Sequence, residues 1–150
     1  MTSPELRITR LSPLATIPRY ATAGAAGLDL HAALEAPCGI PPRGIQLIPL
    51  GLAVAIPDGW EGQVRPRSGL ASRHGISLPN TPGTIDADYR GELKVPLINH
   101  GESTFTVEPG MRIAQLVICP VARCTLREVD QLDATERGTG GFGSTGLRSP

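Results

Sequence analysis

Leu50-Gly51-Leu52-Ala53-Val54-Ala55-Ile56-Pro57-Asp58-Gly59 places Leu50, Leu52, Val54 and Ile56 at every second position and then runs into a turn. Side chains alternate across a strand with a period of two, so these four share one face. Pro57-Asp58-Gly59 supplies the residues that end a strand in a tight turn. The same period recurs outward along the chain. Leu6 and Ile8 alternate in Glu5–Arg10, and Leu28 and Leu30 flank Asp29. Val95 with Leu97, Phe105 with Val107, and the run Ile113 to Ile118 continue the series. Beyond it, Ala122, Cys124 and Leu126 oppose Arg123, Thr125 and Arg127, which predicts one further strand. Nine or ten strands at a spacing of about 8–12 residues predict an all-β sandwich or barrel.

The breakers agree. The chain carries 18 glycines and 15 prolines in 150 residues, and within a helix each Gly costs about 1 kcal/mol and each Pro about 3 kcal/mol relative to Ala. Bundles, coiled coils and doubly wound sheets with repeated helices are therefore excluded. One short helix is predicted at Ser68–His74, with Ser68 as N-cap and Gly75 at its end. Gly138–Pro150 holds five glycines and almost no core-forming residue. The expected organisation is one β domain over 1–136 and a mobile Gly-rich arm over 137–150.

Composition bounds the function. Lys plus Arg and Asp plus Glu balance at 14 each, which argues against stable nucleic-acid binding through a broad basic face. No apolar run approaches the roughly 18 residues of a membrane span, and Met1–Arg10 lacks the basic-then-apolar order of a secretory signal. Cys38, Cys119 and Cys124 match neither a disulfide framework nor a zinc pattern and predict a reducing, cytoplasmic setting.

Three clusters can carry chemistry. In Arg137-Gly138-Thr139-Gly140-Gly141-Phe142-Gly143-Ser144-Thr145-Gly146, three glycines satisfy the spacing of a dinucleotide fingerprint, but no strand–turn–helix surrounds them. An ATPase-type P-loop fails because Leu147 stands where Lys is required. The shared physics survives: glycines let backbone N–H groups converge on an anion, with Arg137, Ser144 and Thr145 as added donors. Phe142 is placed to stack on a base. The alternative is a disordered Gly/Ser tail.

In Arg65-Pro66-Arg67-Ser68-Gly69-Leu70-Ala71-Ser72-Arg73 a strand delivers Arg67 and Ser68 to a helix N-terminus, where phosphate is readily held. The alternative is a capped helix with solvated arginines. In Asn80-Thr81-Pro82-Gly83-Thr84-Ile85-Asp86-Ala87-Asp88-Tyr89-Arg90-Gly91, Asp86 stands between Ile85 and Ala87, in an apolar wall from which it can act as a general base toward water. Asn80 offers the acceptor and donors needed to read a pyrimidine edge. The alternative here is an Asp-rich turn. Asp29 is either a structural carboxylate or a site component. His31, His74 and His100 share no ligand spacing and read as surface or satisfied residues, and Trp60 reads as packing.

Five segments in order resemble the motifs of the trimeric deoxyuridine triphosphate nucleotidohydrolases (dUTPases): Ala26-Gly27-Leu28-Asp29-Leu30, Pro66–Ala71, Asn80–Gly91, Gly110-Met111-Arg112-Ile113-Ala114-Gln115-Leu116 and Arg137–Gly146. The resemblance implies a jelly-roll-like fold, a homotrimer with shared active sites, and Mg²⁺-assisted hydrolysis of dUTP to dUMP and pyrophosphate. It implies that Asp86 deprotonates the water attacking the α-phosphorus, that Tyr89 excludes a 2′-hydroxyl, and that Asn80 and hairpin backbone read uracil. It further implies phosphate contacts from Arg67, Ser68, Gly69 and Gln115, and a nucleotide pocket lined by Gly83, Thr84, Ile85 and Lys94. Arg137 would meet the γ-phosphate, Phe142 would cover the base, and Gly143, Ser144 and Thr145 would wrap the phosphates. Mg²⁺ would be held by substrate oxygens and waters, with Asp29 at most an indirect participant.

Two features depart from the family pattern. Thr84 stands where Val or Leu is expected, and Pro96 inside a predicted strand implies an edge or bulge. Pro96 also aligns with the catalytic Glu of the related dCTP deaminases. Proline cannot move a proton, which disfavours that rival. A non-catalytic nucleotide-binding domain is the other alternative.

Overall fold

The computed structural model describes residues 3–144. Along the chain run β1 (Arg7–Arg10), β2 (Leu28–His31), β3 (Cys38–Ile40), β4 (Ile45–Pro49), β5 (Leu52–Ala55) and β6 (Trp60–Pro66). There follow α1 (Ser68–His74), β7 (Ile76–Ser77), β8 (Gly83–Ile85), β9 (Lys94–Asn99), β10 (Phe105–Val107) and β11 (Arg112–Pro120). The eleven strands among the described residues slightly exceed the expected count, and α1 falls on the expected residues.

The strands form a distorted jelly-roll-like sandwich in which each pairing is antiparallel. The largest sheet has the order β2-β11-β6-β8, a second has β4-β9-β7, and two strand pairs, β1-β5 and β10-β3, complete it. Between these layers lies a core of aliphatic side chains. Leu30, Ile40, Leu50, Val95, Leu97, Val107 and Leu116 are fully buried, each contributing about 1.5–3 kcal/mol on burial. The alternation seen in the opening stretch is the reason: Leu50, Leu52, Val54 and Ile56 are all buried. Trp60 packs partly buried against this core. Asn99 is the buried polar residue among those described.

Three expectations need correcting, and the edge expected at Pro96 is present. Residues 122–127 form no strand; after Val121 N–H donates to the Gly59 carbonyl at 2.8 Å, the chain runs on with Leu126 93% exposed. Alternation makes a strand only where a neighbouring edge is free to bond it, and none meets this segment among the described residues. Ser68 is not the N-cap of α1. Arg67 holds that position in extended conformation, and its carbonyl accepts from Leu70 and Ala71 N–H, with no side-chain cap. Gly75 does end the helix, left-handed at φ 67°. A Cβ there would also come within 2.8 Å of the Gly101 nitrogen, so glycine is required twice over. Pro96 lies in the middle strand of its sheet, opposite Leu47, but β7 reaches only Asn99 and Ile98. At Pro96 the strand is therefore locally an edge, which is where proline is tolerated. Finally, His31 is half-buried and not satisfied, for its buried Nδ1 has no hydrogen-bond partner among the described residues. No described helix is long and apolar enough to cross a membrane.

Candidate active site

β6 pairs with β8 as Val64↔Gly83, Gln63↔Thr84 and Gly62↔Ile85. That register carries the chain out at Asp86 into a turn closed by Tyr89 N–H donating to the Asp86 carbonyl at 3.1 Å. Arg90 braces the turn, its Nη1 donating to the carbonyls of Ala87 (2.6 Å) and Tyr89 (2.9 Å). The alternation of the strand persists through it: Ile85 and Ala87 are buried, while Asp86 is exposed. The expected apolar wall thus exists in its neighbours, and the carboxylate itself faces the open side. The Thr81–Pro82 peptide, just before β8, is cis.

The hairpin forms one side of a cavity of 430 Å³. Asn80, Gly83, Thr84, Ile85, Asp86, Tyr89 and Lys94 line it, and Pro96 stands in the wall. Reading the sequence missed Leu47, Val64, Leu78 and Leu93, the apolar part of the lining, and Glu92. Nothing local marks those aliphatic residues as pocket-forming rather than core. Apolar walls with a few polar groups at one end suit a nucleoside base and sugar.

A second cavity of 560 Å³ is lined by Gly27, Asp29, Arg67, Ser68, Gly69 and Gln115, among others. It shares no lining residue with the first. Here β11 lies between β2 and β6, so Gln115 stands opposite Asp29 on one side and Arg65 on the other. Asp29 uses both carboxylate oxygens: Oδ1 lies 3.4 Å from Arg67 Nε, and Oδ2 accepts from Arg112 Nη1 at 3.0 Å. Arg67 Nη1 also donates to the Arg112 carbonyl at 3.3 Å, and Gln115 Nε2 to that of Pro66 at 3.0 Å. Arg112 is missed here, as are Arg73 and His74 in the lining; the partner of Arg112 lies 83 positions away, beyond the reach of any local pattern. The result is a polar, cation-bearing surface at the start of α1, suited to phosphate oxygens.

His31 sits beside this surface. Burial is the main cause holding its pKa below 6.5, aided by the Arg112 and Arg67 cations and opposed by Asp29. No group of three or more His, Cys, Asp or Glu residues that could hold a metal ion occurs among the described residues. With both Asp29 oxygens engaged by arginines, the surface is built to meet an anion, and the chemistry fits a cation arriving on that anion rather than one caged by carboxylates.

Of the arm, Arg137 Nε donates to the Gly140 carbonyl at 2.8 Å, and Phe142 and Gly143 adopt positive φ of 48° and 90°. Phe142 is fully exposed. None of Arg137, Phe142, Gly143 and Ser144 lines either cavity, and Thr145 lies outside the described residues. Within one chain the expected site residues therefore fall into three separate places.

Comparison with known proteins is consistent over most of the chain. The dUTPase family model matches residues 14–146. The chain is 58% identical over 134 residues to the deoxyuridine 5′-triphosphate nucleotidohydrolase of Maricaulis maris (strain MCS10), covering 88% of each. It is 54% identical over 142 residues to the enzyme of that name from Syntrophotalea carbinolica, covering 95% of this chain and 97% of the relative. Among solved structures, the Staphylococcus bacteriophage 80alpha dUTPase with dUPNHPP superposes with a TM-score of 0.88 at 29% identity, covering 95% of this chain and 99% of that one. A mutant dUTPase of phage phi11 of S. aureus, described with a structural Mg(II) ion, gives 0.79 at 25% identity over 87% and 99% of the two chains. A sandwich of this topology, carrying five motifs in order and matched at this identity over nearly its full length, places the chain in the dUTPase family.

Proposed function

We propose that this chain hydrolyses dUTP to dUMP and pyrophosphate, limiting uracil incorporation into DNA and supplying dUMP. The observation that carries this reading is the Asp86 carboxylate standing exposed at a nucleoside-sized cavity while a separate anion-receiving surface is built from Asp29, Arg67 and Gln115. Phosphoryl transfer asks chiefly for positioning and charge stabilisation, which is what these groups supply.

Asp86 accepts a proton from a water, whose oxygen attacks the α-phosphorus. The bond from that phosphorus to the bridging oxygen breaks, and pyrophosphate leaves. Asn80 and the backbone of Gly83–Ile85 read the uracil edge, and Tyr89 packs against the deoxyribose. Arg67, Ser68, Gly69 and Gln115 hold the phosphate chain, with Asp29 fixing Arg67 rather than contacting the metal. Mg²⁺ would be held by substrate phosphates and waters rather than by protein carboxylates, and would supply charge neutralisation at the reacting phosphate.

The separation of the two cavities supports a homotrimer in which each site draws the hairpin from one copy and the phosphate surface from another. An arm that lines neither cavity of its own chain supports a third contribution, with Arg137, Phe142, Gly143, Ser144 and Thr145 closing over the nucleotide and excluding bulk water. On this reading 1–136 is the domain and 137–150 the closing arm. The unpaired state of Cys38, Cys119 and Cys124 supports a cytoplasmic enzyme.

The test is pyrophosphate release from dUTP, dCTP, dTTP and UTP in the presence of Mg²⁺. Release from dUTP far above the other three is expected. Ammonia release from dCTP, or binding of dUTP without turnover, overturns the reading.

A further inference from the structure

Glu92 is tied to more of the nucleoside cavity than any role so far given to it requires. Its Oε1 accepts the Gly51 N–H at 3.1 Å, and its Oε2 lies 3.4 Å from Lys94 Nζ. The adjoining Leu93 donates to the Leu52 carbonyl at 2.7 Å and accepts from Leu50 N–H at 3.0 Å. Residues 92–93 are thereby fastened at three points to the turn between β4 and β5. That turn is a stiff anchor. Gly51 is buried with φ 62°, and a Cβ there would strike the Ser12, Ala15 and Ala33 side chains, so it has no room to move.

The main-chain carbonyl of Glu92 in turn accepts the Tyr89 hydroxyl at 3.0 Å. Gly91 lies directly beneath the phenol, with no space for a side chain between them. Tyr89 is 46% exposed, so its ring is held by its hydroxyl end and otherwise stands open to the cavity.

We propose that Glu92 is a positioning residue: by clamping to Gly51 it fixes the carbonyl that tethers Tyr89, and so sharpens the selection of 2′-deoxyribose over ribose. The proposal rests on the reading of this cavity as the dUTP nucleoside pocket. An aromatic ring excludes one hydroxyl only if it cannot yield by an ångström or so, and small misplacements are amplified in discrimination. Lys94, drawn to the same carboxylate, is kept at the rim by the same clamp.

The experiment compares kcat and KM for dUTP and UTP in the parent and in E92A, E92Q and Y89F, each checked for folding by circular dichroism. E92A is expected to lower the dUTP-to-UTP ratio of kcat/KM about tenfold, through a gain in kcat/KM for UTP more than a loss for dUTP. E92Q keeps an oxygen for the Gly51 N–H and should hold the ratio within about twofold. Y89F removes the other end of the tether and should lower the ratio as E92A does, and the double variant should be no worse than either single one. A folded E92A that discriminates as the parent does overturns the proposal, as does a double variant whose losses multiply. Should E92A fail to fold, an unchanged ratio in Y89F overturns it. A parent that does not hydrolyse dUTP overturns instead the reading on which the proposal rests.

Discussion

Gly27 lies against Gln115 so closely that a Cβ at position 27 would come within 2.7 Å of Oε1 and 3.1 Å of the Gln115 Cβ. The amide end of a glutamine can swing away, but its Cβ is fixed to β11. Gly27→Ala should therefore push Gln115 out of reach of the Pro66 carbonyl and away from the phosphate surface. We expect KM for dUTP to rise about threefold to tenfold with little change in kcat, and stability to fall by about 1 kcal/mol from overpacking. Steady-state kinetics and urea denaturation check the two effects separately.

Asn99 is the polar hub of the sandwich. Its Nδ2 donates to the carbonyls of Ile40 at 2.8 Å and Ser103 at 2.9 Å, and its Oδ1 accepts from Gly101 N–H at 2.8 Å. Asn99→Ala removes all three bonds, of which the one to Ile40 is buried and those to Ser103 and Gly101 are part-buried, and a loss of about 1–3 kcal/mol is expected in urea denaturation. A loss below about 1 kcal/mol would mean that water replaces the amide.

The contrast between Asn99 and Leu50 shows what the sequence can say about this molecule. Leu50, Leu52, Val54 and Ile56 announce their burial through a period of two, because period is a local property of the strand. Gly75 announces the end of α1 for the same reason: a left-handed position is decided by one residue's backbone. Asn99 sits in an ordinary alternating run, and its three partners become visible only once β3 and the loop after β9 are folded beside it. Arg112 is hidden in the same way, since its carboxylate is on another strand. The segment after Pro120 shows the converse failure, in which alternation at Ala122, Cys124 and Leu126 is real but nothing among the described residues supplies the edge to pair with it. Most candidate site residues lie in three clusters of the sequence, while Lys94 and Gln115 are implied only by the family resemblance, and the distribution of all of them over two cavities and an arm is a matter of tertiary placement that no spacing encodes.

His31 makes stability depend on pH. Burial lowers its pKa in the folded protein below the 6.5 of the unfolded chain. Above pH 6.5 both states are neutral and the stability is fully present. As pH falls below that value the unfolded chain takes up the proton first, so stability declines until the folded-state pKa is passed. His31→Gln should retain more of its urea midpoint than the parent when the pH drops from about 7 to about 5. An identical decline in both proteins would assign the pH dependence to other groups.

Asp86→Asn keeps the shape of the hairpin, since an amide replaces a carboxylate of the same size at an exposed position. On the proposed mechanism it removes the acceptor for the water's proton. Binding of dUTP should persist within about threefold by calorimetric titration while kcat falls by about 10²–10⁴-fold. Turnover close to that of the parent would remove Asp86 as the base and direct the search to the neighbouring Asp88.

Deleting residues 139–150 tests the arm. Phe142 is fully exposed and Arg137 bonds only within the arm, to the Gly140 carbonyl, so no core contact among the described residues is lost with it. The remaining chain should keep its thermal midpoint and, on the proposed assembly, the mass of a trimer by light scattering. If the arm closes over the nucleotide as proposed, hydrolysis of dUTP should fall at least about 100-fold, because the phosphates then lose their covering donors and water enters freely. The Arg137→Ala variant, which leaves the glycines in place, should show a smaller loss carried mainly in KM. Full activity in the shortened chain would reduce the arm to a tail, and a dissociated trimer would make it part of the assembly instead.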